Sequence, residues 1–537
     1  MSPKVILCFS LLVACISAKL YAIDRELRIH EIPEEKAGSQ LNDSNFLASA
    51  HWIDDRNNSG WTYYTYQTEQ GVPDWLQTYT AGYLEGALGY ELIWYTWLNQ
   101  QVYIEGGIPA NVTQFIHNQT AWMVRMILQN PRDNYWHLVN TTLAQVYGMW
   151  HGYLYAIATH KKPEYNISFD NFYTMTYMSD LFDVYSKLIP TAPKMKPLKC
   201  SFLLKLTNDN LFASHTTWFY YNGLLRTYKV LNFDLRNPLV RTKRISFSSQ
   251  PGYTTSQDDF YILDNNRFVS ETSLDSDNDA VYSWIHYESV PYWVRIHVAN
   301  FVYDTQQNWV NTFFAYRSGT YNNQWLIVDF NKYNQYKNNL AAAKDIVWMA
   351  EEFYSLQSAS DMTQSMLIPQ GYLASYNVPY NASIQKLSQN PTNYTSDPRY
   401  FLFKKYAPGI QNIEDFKSVM RRNNHSDTGN YCQAIAARCD LERPNSYPSG
   451  ALDCKVTSDT MVSTHQAWII NGPTAENLPP FNWDDWPQYA NSSYGIGKLW
   501  NFSWVFIDPN NNFTSLRPVS IDFESESESS DIIFMDW

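Results

Sequence analysis

Two short stretches of alternating apolar and polar residues meet at an asparagine-rich turn in the first half of the chain. Phe202, Leu204 and Leu206 lie at every second position, which is the period of a half-buried β-strand. The turn Asn208-Asp209-Asn210 separates this stretch from a second one over residues 211–218. The pattern predicts a β-hairpin that begins at Cys200.

Before the hairpin, apolar residues recur at helical spacing. In residues 73–101, Leu84, Leu88, Leu92 and Tyr95 are spaced by three or four positions, and Pro73-Asp74 precedes them as a helix start. Residues 112–128, 133–158 and 171–188 predict further helices. Residues 22–68 are mixed and polar, and predict short strands and loops that wrap the body.

After Cys200 the texture changes to short alternating runs separated by polar turns. The predicted strands cover residues 224–234, 244–248, 259–263, 268–273, 292–299 and 324–329, and the predicted helices cover residues 309–316 and 412–421. A helix-rich leader joined to a strand-rich body predicts an α+β enzyme of layered sheets and helices.

The chain divides into four segments. Residues 1–18 have Lys4, an apolar run and Ser17-Ala18, the pattern of a secretory signal peptide. Residues 19–199 form the helical fragment and end in a linker, PTAPKMKPLK, with three prolines and three lysines. Residues 200–514 form the strand-rich body. Residues 515–537 include FESESESSDIIFMDW, which predicts a disordered acidic tail.

The secretory route suits the rest of the composition. No stretch after the signal peptide is long and apolar enough to predict a transmembrane segment, so we expect a protein of a luminal or extracellular space. Twelve Asn-x-Ser/Thr sequons are candidate glycosylation sites. They are Asn42, Asn57, Asn111, Asn118, Asn140, Asn166, Asn381, Asn393, Asn424, Asn491, Asn501 and Asn512.

The net charge and the aromatic content limit the classes of binding partner that we expect. The net charge of −13 argues against nucleic-acid binding. Aromatic residues make up 16% of the chain, which gives contact surface for a core and for an apolar or sugar-binding pocket alike.

Cysteine spacing predicts one local disulfide. Removal of the signal peptide leaves Cys200, Cys432, Cys439 and Cys454, and an oxidising compartment allows disulfides among them. We expect Cys432 to pair with Cys439, with Cys439–Cys454 as the competing pairing. Cys200 is more than 230 residues from the others and is expected to be free.

A free cysteine at the end of an exposed linker is a candidate catalytic nucleophile. If the Lys199–Cys200 bond is cut, Cys200 carries a thiol and an α-amine together, and the amine serves as base for the nucleophile. On spacing alone, a buried structural cysteine is the competing interpretation.

Other catalytic patterns do not occur. The chain has no G-x-S-x-G, H-E-x-x-H, C-x-x-C or G-x-x-x-x-G-K-[ST], so we expect no metal, nucleotide or other cofactor. His215 lies on the strand beside that of Cys200, although a lone histidine is more often structural.

Six ordered motifs then resemble a known family. They are KCSFLLKLTNDNLFASHTTW, SSQPGYTTSQDDFYIL, YRSGTYNNQWLIVDF, CQAIAARCDL, GALDCKVTS and NGPTAENLPPFNW. This set resembles the phospholipase B-like proteins, lysosomal relatives of the lamina-ancestor protein, over residues 79–504. The acidic tail and the residues after Trp504 depart from that resemblance.

The resemblance implies an N-terminal nucleophile hydrolase with a four-layer αββα core, activated by self-cleavage before Cys200 into two fragments that stay associated. It implies an acyl hydrolase that removes fatty acyl groups from phospholipids. The alternatives are an amidase acting on linear lipid-like amides and a non-catalytic glycan- or lipid-binding lysosomal protein.

The resemblance also implies roles for single residues. Cys200 matches the nucleophile, and the HTTW strand with His215, Thr216 and Trp218 would lie at the pocket floor; relatives resembling this chain carry Asn where Thr216 stands.

Further along the chain, Asn322 and Asn323 are candidate amide donors to an oxyanion. Arg438 is a candidate to lower the α-amine pKa or to bind a carboxylate or phosphate. The competing interpretations are a capped turn for the two asparagines and a surface ion pair between Arg438 and Asp440.

Overall fold

The computed structural model describes residues 19–33, 45–101, 104, 107–191, 199–442, 444 and 446–510. The predicted signal peptide, seven residues of the linker and the acidic tail lie outside the described residues.

Helices and strands are mixed throughout the described chain, which confirms the α+β class. The helices of seven or more residues are α1 (Asp74–Leu88), α2 (Tyr90–Gln100), α3 (Ala110–Gln129), α4 (Asn134–Thr159), α5 (Phe169–Thr176), α6 (Met178–Leu188), α7 (Tyr292–Phe301), α8 (Gln306–Phe313), α9 (Phe330–Tyr336), α10 (Ala382–Ser388), α11 (Pro398–Tyr406) and α12 (Ile413–Met420).

The strands of the described residues include two short ones, β18 and β19, that pair with each other. In chain order the strands are β1 (Lys19–Asp24), β2 (Ile29–Ile32), β3 (Phe46–Asp55), β4 (Trp61–Thr68), β5 (Cys200–Leu206), β6 (Leu211–Tyr220), β7 (Arg226–Asn232), β8 (Arg244–Ser249), β9 (Phe260–Leu263), β10 (Arg267–Ser273), β11 (Asn323–Asp329), β12 (Val347–Phe353), β13 (Leu356–Asp361), β14 (Tyr372–Ser375), β15 (Ser449–Ala451), β16 (Asp453–Ser458), β17 (Ala467–Asn471), β18 (Phe481–Asn482), β19 (Leu499–Trp500) and β20 (Val505–Ile507).

Two large sheets organise the described chain. The larger has 11 strands in the order β13-β12-β11-β10-β9-β8-β7-β4-β3-β1-β2. Its β4 and β7 pair in parallel, with Trp61 opposite Arg226 and Gln67 opposite Asn232. The four strands before Cys200 therefore share one sheet with β7 to β13, which follow it.

The smaller sheet carries the predicted hairpin. It has the order β14-β5-β6-β16-β17-β20, with β15 also paired to β6. The hairpin register places Cys200 opposite Thr217 and Leu206 opposite Leu211. Cys200 is therefore the first residue of an inner strand.

Three hydrophobic clusters show how the sheets and helices stack. One joins helices α1 to α8 to a face of the larger sheet, for example Leu84 and Trp293 with Tyr64. A second lies between the sheets, with Phe202 of β5 against Phe268 of β10. The third packs the outer face of the smaller sheet against α11 and α12.

Helices α1 and α4 cross at unusually short range because glycines line the contact. A Cβ on Gly82 would lie 2.0 Å from the Gln145 carbonyl oxygen, and one on Gly148 would lie 1.9 Å from that of Tyr79. Backbones approach this closely only where no side chain intervenes. The pair forms a rigid base beneath the larger sheet.

Two segments differ from the sequence expectation. Residues 292–299 are not a strand but lie in α7, whose ten residues are all buried. Burial on every side removes the polar face that marks a helix in sequence, and the Asp180 carboxylate accepts a hydrogen bond from the Tyr292 N–H (2.9 Å) at its first turn. Residues 22–68 do not wrap the body but supply strands of the larger sheet.

Cys432 and Cys439 form the predicted disulfide, while Cys200 and Cys454 are free and buried. None of the described helices is long and apolar enough to cross a membrane. Of the predicted sequons, Asn140 is only 6% exposed within α4, which leaves no room for a glycan there. Asn42 and Asn512 lie outside the described residues.

Candidate active site

Cys200 is held through its main chain by two distant side chains. Its N–H donates to Asn377 Oδ1 (2.8 Å), and its carbonyl oxygen accepts from Arg399 Nη1 (2.6 Å). Only 2% of Cys200 is exposed. The strand start is thus fixed on both sides of the thiol.

Asn377 and Arg399 are themselves fixed. Asn377 has a left-handed backbone (φ 66°), and its Nδ2 donates to the Ser273 carbonyl oxygen (2.8 Å) at the end of β10. Arg399 also donates to Asn377 Oδ1 (3.0 Å), and its guanidinium lies 4.6 Å from the centre of the Trp218 ring. These contacts bring β10, β14 and α11 to the start of β5.

The peptide bond before Cys200 is also engaged. The Trp218 N–H donates to the Lys199 carbonyl oxygen at 2.9 Å. A donor on this oxygen polarises the carbonyl and stabilises negative charge there.

Cys200, His215 and Glu271 form a buried cluster. Their nearest ligand-type atoms all lie within 4.8 Å of one another. Burial raises the pKa of the Cys200 thiol well above its usual value, and the Glu271 carboxyl raises it further. Burial lowers the pKa of His215 well below its usual value, with Lys455 acting in the same direction.

Two neighbouring aspartates of this region differ in ionisation. Burial opposes the charge on Asp258, but Arg226 and Lys455 outweigh it and hold its pKa far below the usual range. Burial raises the pKa of Asp259 to about 7. Burial and the Asp259 charge together raise the pKa of Glu271 well above its usual value.

A small cavity adjoins this cluster and is lined from both sides of Cys200 in sequence. Thr217, Asp258 and Tyr321 line it from the body, and Met178 and Phe182 line it from α6. The helical fragment is therefore part of the site's wall.

The two candidate asparagines have different surroundings. Asn322 Oδ1 accepts from the Tyr354 N–H (2.6 Å) and its Nδ2 donates to the Gly319 carbonyl oxygen (3.1 Å), so it closes a loop. Asn323 is fully buried, and neither polar atom of its side chain has a hydrogen-bond partner among the described residues. Asn323 pairs with Ser273, the residue that Asn377 contacts.

Strand alternation separates the three HTTW candidates. Side chains on β6 point alternately to opposite faces, so His215 shares the inner face with Thr217, the partner of Cys200. Thr216 points outward and donates to the Met420 carbonyl oxygen (2.9 Å). The Trp218 indole also points outward, to the Ile435 carbonyl oxygen (3.1 Å), and only its backbone N–H reaches the Lys199 carbonyl.

Arg438 forms a buried ion pair with Asp440 (2.8 Å) and donates to the carbonyl oxygens of Thr474 and Pro479. Its contacts with described residues do not include Cys200. The guanidinium beside Cys200 belongs to Arg399.

Sequence reasoning missed Asn377, Arg399, Glu271, Asp258 and Lys455. They lie in five separate stretches that the tertiary fold brings together: Glu271 and Lys455 lie on β10 and β16, Arg399 lies on α11, and Asn377 and Asp258 lie in loops. Two of them, Asp258 and Lys455, fall inside the quoted motifs SSQPGYTTSQDDFYIL and GALDCKVTS, so the motifs were the available signal.

Comparison with known proteins decides the family. The Phospholipase B family model matches residues 48–507. The chain belongs to the phospholipase B family. It is 32% identical to phospholipase B-like protein B of Dictyostelium discoideum over 88% of this chain and 87% of that protein. It is 30% identical to human phospholipase B-like 1, over 80% and 81% of the two chains, and 31% identical to mouse putative phospholipase B-like 2, over 83% and 82%.

The resemblance read from the six motifs is therefore confirmed. The phospholipase B match begins before the first of those motifs and includes β4. The match thus spans α1 to α12, the smaller sheet, the Cys200 cluster and the larger sheet except β1, β2 and the start of β3.

Proposed function

We propose that this chain is an acyl hydrolase of lipid degradation that acts in a lysosome or after secretion, with Cys200 as its nucleophile after cleavage of the Lys199–Cys200 bond. Family membership supports hydrolysis of lipids. The observation that carries the nucleophile assignment is the pair of side chains on the Cys200 main chain, Asn377 and Arg399, because a cysteine that only fills a core needs neither.

Cleavage would start from the geometry of the uncut chain. The Cys200 thiol attacks the Lys199 carbonyl carbon, the developing oxyanion accepts from the Trp218 N–H, and the thiol proton passes to the departing Cys200 nitrogen. Water then hydrolyses the thioester, which leaves a Lys199 carboxylate and restores the thiol.

In the cleaved protein the new α-amine would act as base. Asn377 Oδ1 already accepts from this nitrogen and would hold the amine beside its own thiol. The Arg399 guanidinium contacts the same Asn377 oxygen, and a cation this close lowers an amine pKa. Arg399 therefore takes the role that the resemblance suggested for Arg438.

Acyl transfer in the cleaved protein would use the Cys200 thiol as nucleophile and its α-amine as base. The thiolate attacks the acyl carbonyl, the alcohol leaves with the amine's proton, and water hydrolyses the acyl-enzyme. Asn323 is the donor proposed for the oxyanion, since its buried amide has no hydrogen-bond partner in the described part of the chain and an unsatisfied buried donor is costly unless a ligand uses it.

Phospholipid is the proposed substrate class, and the two fragments would stay associated because they share the larger sheet. A linear lipid-like amide is the second candidate substrate, because a thiol nucleophile with an amine base serves esters and amides alike. In a glycan- or lipid-binding protein without catalysis, the hydrogen bonds of Asn377 and Arg399 to the Cys200 main chain would have no role in chemistry.

Alkylation tests the assignment. Iodoacetamide at acid pH should label Cys200 in the cleaved protein and remove hydrolysis of a phospholipid in parallel, while uncleaved protein labels slowly because burial raises the thiol pKa. Full hydrolysis by protein whose Cys200 is alkylated, as read by mass spectrometry, would refute the proposal.

A further inference from the structure

The strongest unexplained feature is a set of three metal-ligand side chains that face one another without bonding to one another. Cys200, His215 and Glu271 come from β5, β6 and β10 and meet where the two sheets face each other. The Oε2 of Glu271 is buried and has no hydrogen-bond partner among the described residues, and the buried Nε2 of His215 faces the Glu271 main chain without a hydrogen bond of standard geometry. Two ligand atoms without a standard hydrogen bond beside a thiol indicate a missing partner.

We propose that Cys200, His215 and Glu271 bind a borderline or soft divalent cation of the Zn²⁺ class, and that the bound cation blocks the nucleophile. The binding claim stands on the ligand geometry alone. Its inhibitory consequence rests on the proposed function of Cys200.

The donor set selects the type of cation. Thiolate and imidazole ligands favour zinc-like ions, whereas magnesium and calcium prefer oxygen ligands throughout. Three protein ligands leave a fourth tetrahedral position for water. The sequence predicted no metal because the ligands follow no motif spacing: the sheets, not a local stretch, bring them together.

The distances fit after a small contraction. Zn–S of about 2.3 Å and Zn–N or Zn–O of about 2.0 Å set tetrahedral ligand atoms about 3.3–3.6 Å apart. The three side chains already lie within 4.8 Å of one another. Side-chain rotations that shorten the longest of these separations by about 1 Å would give the spacing of tetrahedral ligands.

The basic residues near the cluster are already paired with aspartates, so Glu271 remains to balance the charge of a bound cation. The cations Lys455 and Arg226 are both paired with Asp258 and Asp453. Glu271 is not among these ion pairs, and its Oε1 lies 3.3 Å from the Tyr321 hydroxyl oxygen. A divalent ion would therefore bind a carboxyl group that lies outside these ion pairs, in exchange for its proton.

His215 has a neighbour suited to orient it as a ligand. Its Nδ1 lies 3.2 Å from the Thr217 hydroxyl and 3.3 Å from Lys455 Nζ. With Nε2 on the metal, Nδ1–H donates to Thr217, the outer contact that metal-bound histidines need. Lys455 keeps its bonds to Asp258 and Asp453.

Cadmium titration of the chelator-treated, full-length protein tests the site. Cd²⁺ bound to a thiolate gives an ultraviolet charge-transfer band, so the readout does not depend on hydrolysis. We expect the band to saturate at one Cd²⁺ per chain, and Zn²⁺ to displace it. No band at saturating Cd²⁺ would refute the site.

Matched variants assign the ligands. Cys200→Ser should remove the band, and Cys454→Ala, which deletes the other free buried thiol, should keep it. Glu271→Gln retains an acceptor for Tyr321 and should weaken Cd²⁺ binding by at least about tenfold, since even outer contacts contribute about 10- to 100-fold. An unchanged band in folded Cys200→Ser, or its loss in Cys454→Ala, would overturn the assignment.

Phospholipid hydrolysis, measured separately, distinguishes this site from the proposed function. Cadmium binding at Cys200 in protein without hydrolysis would keep the metal site and reject the nucleophile. Hydrolysis that Zn²⁺ does not reduce, in protein with the cadmium band, would reject the blocking role.

Discussion

The two free thiols of the described chain, Cys200 and Cys454, have the same burial and opposite surroundings. Burial raises the pKa of both. Cys454 is the second residue of β16 and lies on its outer face, where its sulfur is 3.4 Å from the Thr216 hydroxyl oxygen. Cys200 begins a strand, with its main chain held from two sides and two ligand atoms without a standard hydrogen bond nearby. Burial therefore does not distinguish the two thiols, whereas the partners of the Cys200 main chain do.

The largest expected effect is the difference in cleavage and hydrolysis between variants of Cys200 and of Cys454. Cys200→Ala should abolish cleavage before residue 200 and all hydrolysis, because no group remains to attack the Lys199 carbonyl. Cys454→Ala should retain both and lose only some stability. Mass and N-terminal sequence of the purified variants measure the cut. Efficient cleavage of Cys200→Ala at the same bond would assign the cut to another protease.

A second contrast tests the oxyanion donor. Asn323→Ala should lower kcat by about 10²- to 10³-fold if its amide binds the developing charge. Asn322→Ala removes the acceptor of the Tyr354 N–H, so it should cost about 1–3 kcal/mol of stability with little change in kcat. Steady-state rates on cleaved protein and thermal unfolding separate the two. An Asn323→Ala enzyme with full turnover would exclude that residue from the site.

A third contrast compares Arg399 with Arg438, both of which are buried. Without the guanidinium, the α-amine pKa rises, so Arg399→Gln should move the acid limb of the kcat/KM profile upward by about 1 pH unit. Arg438→Gln leaves Asp440 unpaired and should cost about 3–5 kcal/mol without moving that limb. A profile shifted by the Arg438 change and not by the Arg399 change would reverse the assignment.

The smallest effect is the pH dependence of stability. Asp183 of α6 accepts from the Tyr321 N–H (2.7 Å) and the Tyr354 hydroxyl (2.9 Å), and burial raises its pKa to about 7. The folded state then binds this proton more tightly than the unfolded state, so stability falls as pH rises from about 4 to 7.

Asp183→Asn should flatten this part of the profile, since an amide carries no titrating proton. Thermal unfolding between pH 4 and 8 measures it, with Asp209→Asn as an exposed control. An equal slope in Asp183→Asn would show that other groups set the dependence.

Local pattern was enough for the hairpin, most helices and the Cys432–Cys439 disulfide, since each depends on neighbours in sequence. It failed at residues 292–299, where a short run between polar turns predicts a strand but the chain forms α7, which is buried on all sides. The resemblance supplied Cys200 and Asn323. Asn377 and Arg399 could not be found, because they reach Cys200 only through the tertiary fold: Asn377 follows β14, which pairs with β5, and Arg399 lies on α11.

The parallel pairing of β4 with β7 has a consequence for refolding. In the uncut chain these strands find each other within one molecule, at an effective concentration in about the millimolar range. If the Lys199–Cys200 bond is cut as proposed, the two strands belong to different polypeptides while their ladder stays in the centre of the sheet. Denatured cleaved protein must then reassemble by a bimolecular collision, so denaturation and renaturation should show hysteresis, and the mature enzyme persists through its unfolding barrier.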